Sequence, residues 1–109
     1  RFAPGDDKLS PKAKAILHDL AQILKESDNP ISVEGHTCDL PVASAKYPSN
    51  WELSTARATS VVRHLIEVEG ISPHRLSAAG YANVKPLVTN TSPQNRAVNR
   101  RVDIILLKG

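Results

Sequence analysis

The sequence predicts an α+β domain: a two-layer sandwich with helices packed on one mixed sheet of four strands, over residues 1–109 as a single unit. Three observations carry this expectation. Two stretches, Ala13 to Leu24 and Trp51 to Ile66, repeat their apolar residues every three to four positions, as amphipathic helices do. Three shorter stretches, Ile31–His36, Arg75–Tyr81 and Arg101–Leu107, read instead as strands. Between them lie loops rich in proline and asparagine that follow neither period. At 40% hydrophobic residues the chain can fill one modest core. It has no run of about 20 apolar residues, the length needed to cross a bilayer.

Taken in order, Arg1-Phe2-Ala3 reads as the end of a first strand, and Pro4-Gly5-Asp6-Asp7 as a turn. Ser10 followed by Pro11 supplies an N-cap and a proline at the first helical position. The helix carries Ala13, Ile16, Leu17, Leu20, Ile23 and Leu24 and runs to about Ser27, where Asp28-Asn29-Pro30 stops it. In the next strand Ile31, Val33 and Gly35 face one way and Ser32, Glu34 and His36 the other. A polar loop from Thr37 to Pro48 follows.

Ser49, with Glu52 three residues later, forms a capping box and opens a second helix, from Asn50 to about Glu69, that ends at Gly70. Trp51, Ala58, Val62, Leu65 and Ile66 make its expected core stripe, while Asn50, Leu53 and Arg57 share a flanking stripe. Ser72-Pro73 opens a single turn, and residues 82–94 form a long loop before a helical turn at Asn95–Asn99. The last strand turns apolar on both faces midway, which predicts a central position in the sheet.

Charge and composition narrow the function. Residues 1–39 carry five Lys/Arg against seven Asp/Glu, and residues 40–109 carry nine against four, so the C-terminal part favours an anionic partner. Nucleic acid fits poorly, because the cations form no dense run and aromatics are only 4%. A single cysteine, Cys38, excludes an internal disulfide. His36, Cys38 and Asp39 do not make a convincing nucleophilic centre: residues two apart on a strand end are neighbours in any case, and no glycine nest marks an oxyanion site. Metal binding fares no better, since zinc ligands come in paired stations and His18, His64 and His74 have no partner at ligand spacing. No cofactor is expected.

The stretch Asn50-x-x-Leu53-Ser54-x-x-Arg57-Ala58 resembles the central motif of the OmpA-like peptidoglycan-binding domain. Its longer form, Tyr47-Pro-Ser-Asn-Trp-Glu-Leu-Ser, resembles the MotB/PomB branch, the wall-anchoring domain of flagellar stator proteins. Gly35-His36-Thr37 upstream and Arg96-x-x-Asn99-Arg100-Arg101-Val102-Asp103-Ile104 downstream agree in order and spacing, so the resemblance runs from about Phe2 to Leu107.

This resemblance implies a (β)αβαβ–β fold and non-catalytic binding of the peptidoglycan stem peptide at its diaminopimelate-type zwitterion. It also implies a periplasmic homodimer that anchors a flagellar motor stator complex to the cell wall. The chain opens on Arg1 and holds no methionine, which reads as a piece of a longer protein. A tether to the inner membrane and contacts with an ion-channel partner subunit are expected outside it. The runner-up is a wall tether of the outer-membrane or lipoprotein (Pal/OmpA) type; a wall-acting hydrolase ranks below both.

The expected ligand-binding residues follow from the chemistry of a zwitterion. Arg57 suits its carboxylate, because a guanidinium fork holds two oxygens at once. Thr37 and Asn50 supply neutral hydrogen bonds, Leu53 a wall for the aliphatic stem, and the helix start at Ser49-Asn50 a positive dipole end. The family pattern continues Gly-His-Thr with aspartate. Here Cys38 stands at that position, leaving Asp39 as the carboxylate for the ammonium. Arg100 and Arg101 open the last strand facing opposite ways, and one of them is expected at the pocket.

Overall fold

A computed structural model describes residues 2–42 and 44–108. Along the chain it contains α1 (Pro11–Leu24), β1 (Ile31–Gly35), α2 (Asn50–Glu67), β2 (Leu76–Gly80), α3 (Pro93–Asn99) and β3 (Val102–Leu106), with a single 3₁₀ turn at Pro73–Arg75. The helix starts are those their capping chemistry dictates. Ser10 accepts the Ala13 N–H at 3.1 Å ahead of Pro11, and Ser49 accepts the Trp51 N–H while its hydroxyl donates to the Glu52 carboxylate. α3 is longer than the one turn expected: Ser92 caps it and Pro93 occupies its first position.

The sheet runs in the order β2-β1-β3, with β1 parallel to β2 and antiparallel to β3. Two expectations are corrected. Among the described residues the sheet has three strands, not four. Phe2 and Ala3 form no strand, although the Phe2 N–H does reach the Arg100 carbonyl at 3.1 Å just ahead of β3. Arg1 lies outside the described residues. The last strand is also an edge strand, and β1 is the central one. Val102 and Ile104 pack against the core, but Ile105 and Leu106 are exposed. Apolar alternation reports which faces of a strand are covered and says little about which of its edges are paired.

The core joins Leu17, Ala21 and Leu24 of α1, Ile31 and Val33 of β1, Ala58, Val61 and Leu65 of α2, and Ile71 after it. α2 is rotated from its expected setting. Its buried stripe is Leu53, Ser54, Arg57, Ala58, Val61 and Leu65, and Trp51, expected in the core, is 51% exposed. Both stripes share Ala58 and Leu65, so periodicity alone could not choose between them. The glycines of the sheet explain the choice. Gly35 and Gly80 are cross-strand partners beneath Ser54 and Thr55. A Cβ on Gly35 would overlap the Ser54 main-chain oxygen, and one on Gly80 would strike the Ser54 and Thr55 side chains. The start of α2 therefore lies directly on the sheet, and Arg57 is carried to the C-terminal end of β1.

Candidate binding site

At that end of β1 the chain is pinned from three directions. His36 donates its N–H to the Arg101 carbonyl at 2.8 Å, Thr37 donates to the Ala82 carbonyl at 2.9 Å, and the His36 carbonyl accepts from Arg57 Nη1 at 3.1 Å. Arg57 is fully buried. Besides His36, its guanidinium donates to the main-chain carbonyls of Asp6 (Nε, 2.7 Å) and Ala3 (Nη2, 2.9 Å), and it lies over the Phe2 ring at 4.8 Å.

Three of the five N–H groups of this guanidinium are thus spent on carbonyls, and two find no acceptor among the described residues. No carboxylate pairs with it among those residues either. Burial, with the charge of Arg100 behind it, pushes its pKa down to about 10, so the group stays cationic at neutral pH.

Arg57 lines a cavity of about 30 Å³ together with Thr37, Cys38, Asn50, Leu53 and Arg100; Pro4, Gly5, Leu40, Pro41 and Val42 complete its wall. The guanidinium of Arg100 is anchored by Nε on the Phe2 carbonyl at 2.6 Å, and its Nη1 lies 3.6 Å from Cys38 Sγ. Cys38 is 3% exposed, so the thiol is an interior group of the site. Asn50 reaches back from the first turn of α2 to the Leu40 carbonyl at 3.3 Å and closes the loop around the cavity.

Six of the eight residues expected to bind ligand therefore share one cavity, and two do not. The carboxylate of Asp39 accepts from Arg96 Nε at 2.7 Å, a contact that also raises the Arg96 pKa. Arg101 turns to Asp103 at 3.1 Å and to the Lys85 carbonyl at 3.2 Å. There it stands near His36, whose ring stacks on Tyr81 and lies 3.4 Å from Asp103 Oδ2. Two larger, shallower clefts exist, one along α2 beside Trp51 and one between α1 and β3. Neither contains Arg57 or Arg100.

Sequence reasoning missed three parts of this arrangement. The carbonyls of Ala3 and Asp6 carry no signal in a side-chain reading. Arg96 belongs to the downstream motif, whose spacing gives it no role of its own. Asn99 in the same motif is fully buried and holds the preceding loop, accepting from Leu87 and Val88 N–H and donating to the Val88 carbonyl and the Asn90 side chain. Elsewhere, His18 and His64 meet at the buried Glu69, 2.9 and 3.6 Å from its oxygens, a junction between α1 and the end of α2 that spacing did not reveal. Among the described residues no group of three or more His, Cys, Asp or Glu could hold a metal ion.

A fully buried guanidinium, held by main-chain carbonyls at the C-terminal end of the central strand, is thus the centre of this candidate site. The chain belongs to the OmpA family, whose model matches residues 1–100. It is 39% identical over 107 residues to the uncharacterized protein YtxE of Bacillus subtilis, covering 98% of this chain and 44% of that protein. Motility protein B of Bacillus subtilis is 36% identical over 77 residues, or 71% of this chain and 30% of that protein.

The C-terminal domain of Helicobacter pylori MotB superposes with a TM-score of 0.91 at 28% identity, over all of this chain and 82% of that one. The cell wall anchor of the T6SS from Pseudomonas aeruginosa gives 0.86 at 33%, over 98% and 75%. The chain spans less than half the length of these two curated relatives.

Proposed function

We propose that this domain grips the stem peptide of peptidoglycan from the periplasmic side and anchors a flagellar motor stator complex to the wall. The observation that carries the reading is Arg57, a fully buried guanidinium that lines a cavity and, among the described residues, has two uncommitted N–H groups and no paired carboxylate. Buried charges are normally compensated, so such a site calls for an anion from outside. A carboxylate of a stem peptide supplies it, with Arg100 as the second donor and Leu53 against the aliphatic chain. Similarity to motility protein B and to the MotB C-terminal domain supports the stator assignment. A second reading, a wall tether for a different envelope machine, is favoured by the likeness to the T6SS cell wall anchor.

The test is co-sedimentation with purified sacculi. Pelleting without release of muropeptides is the expected result, and release would end the non-enzymatic reading. To separate the two machines, this domain replaces the C-terminal domain of motility protein B. Swimming cells support the stator, and wall-bound but immobile chimeras support the other tether.

A further inference from the structure

A zwitterionic side chain offers an anion and a cation, and the cavity's charges discriminate between them. Two guanidinium groups, Arg57 and Arg100, line it, and none of its lining residues is acidic. The side chain facing Arg100 Nη1 at 3.6 Å is the thiol of Cys38. The nearest carboxylate in sequence, Asp39, is already engaged by Arg96 at 2.7 Å and does not line the cavity. The wall next to the cations is Pro4, Leu40, Pro41, Val42 and Leu53, largely apolar. An ammonium held here would meet two like charges and no acidic side chain in the described lining, so its desolvation cost would be poorly offset. An acylated amine is neutral and partly apolar, and meets neither penalty.

We infer that the cavity is a carboxylate-selective subsite, sized for the free carboxylate alone of a stem-peptide amino acid whose side-chain amine is acylated, as in a cross-linked stem. This rests on the stem peptide being the ligand. On this basis the domain reads wall that is already cross-linked in preference to stems that still carry a free amine. The residue that sets the preference is Cys38, since a carboxylate in its place would stand beside Arg100, which would share it with an incoming ammonium.

The experiment titrates the domain by calorimetry with three forms of one diaminopimelate tripeptide: unmodified, acetylated on the side-chain amine, and amidated on the side-chain carboxylate. The original protein is expected to bind the acetylated form at least as tightly as the unmodified one and to lose roughly tenfold or more on amidation, the scale of one charge-assisted bond. Cys38→Asp should reverse the first preference and favour the free amine about tenfold.

Loss of tenfold or more on acetylation in the original protein would overturn the inference, because an acid would then be reading the amine. So would failure of all three peptides to bind. Sacculus pelleting is run alongside. Pelleting without peptide binding leaves wall attachment standing and removes this subsite, whereas the expected peptide ranking without pelleting keeps the subsite and removes the anchor.

Discussion

A guanidinium with three main-chain acceptors and, among the described residues, no counter-ion is an unusual group to bury. On the proposed function Arg57 serves fold and ligand at once, so Arg57→Ala should lower both stability and wall binding: it strands the carbonyls of Ala3, Asp6 and His36 and removes a cation from the cavity wall. Arg100→Ala separates the effects, because its guanidinium holds one carbonyl, that of Phe2. Wall pelleting should weaken by about 1.5–3 kcal/mol, the worth of a hydrogen bond to a charged group, with a far smaller shift in the unfolding midpoint. Unchanged pelleting would place the wall contact elsewhere.

His36 makes a second argument at this scale. Burial, aided by the Arg101 charge, holds its imidazole below the usual histidine range even though Asp103 and Glu34 pull the other way. The unfolded chain then binds the proton more readily than the folded one. Stability is complete above the ordinary histidine value of about 6.5 and is lost as pH falls from there toward the lowered folded value. Thermal unfolding between pH 8 and pH 5 should show this loss, and His36→Gln should flatten it. A midpoint that rises on acidification would contradict the assignment.

At the scale of elements, the helices and strands were legible because capping and alternation are local. Ser10-Pro11 and the Ser49–Glu52 pair marked both long helix starts, and β1 alternated as its burial does. What was not legible depends on contacts between elements. The rotation of α2 follows from Gly35 and Gly80 beneath its first turns, and nothing in the helix's own periodicity encodes it. Gly35→Ala should therefore be costly. The new methyl would overlap the Ser54 main chain, and overpacking of this kind costs about 1–3 kcal/mol or more. Urea denaturation checks it, and a loss below about 0.5 kcal/mol would show that α2 can slide away from the sheet. The pairing of Asp39 with Arg96 was hidden for a related reason: the partners are 57 residues apart, and either could equally have faced water.

For the whole molecule, the basic excess at the C-terminal side turned out to have a specific internal focus. Of the nine Lys/Arg in residues 40–109, Arg57 and Arg100 line the cavity, while Arg63, Arg96 and Arg101 already sit beside carboxylates. Attraction to a polyanion through surface charge would fade steeply with salt, but a desolvated contact is screened far less. Wall binding should accordingly fall by no more than roughly threefold between 0.05 and 0.3 M salt. A collapse of tenfold or more would assign the affinity to the outer surface. The fold class and family were readable from the motifs in register; strand count and edge order were not, because both depend on hydrogen-bonding partners that a one-dimensional pattern does not name.

The carbonyls of Ala3 and Asp6 that hold Arg57 belong to the stretch of chain leading into α1. Displacing that stretch would withdraw two of the three main-chain acceptors of the guanidinium and leave only the His36 carbonyl, just past the end of β1. The orientation of the buried cation is therefore set in large part by a segment outside the sheet.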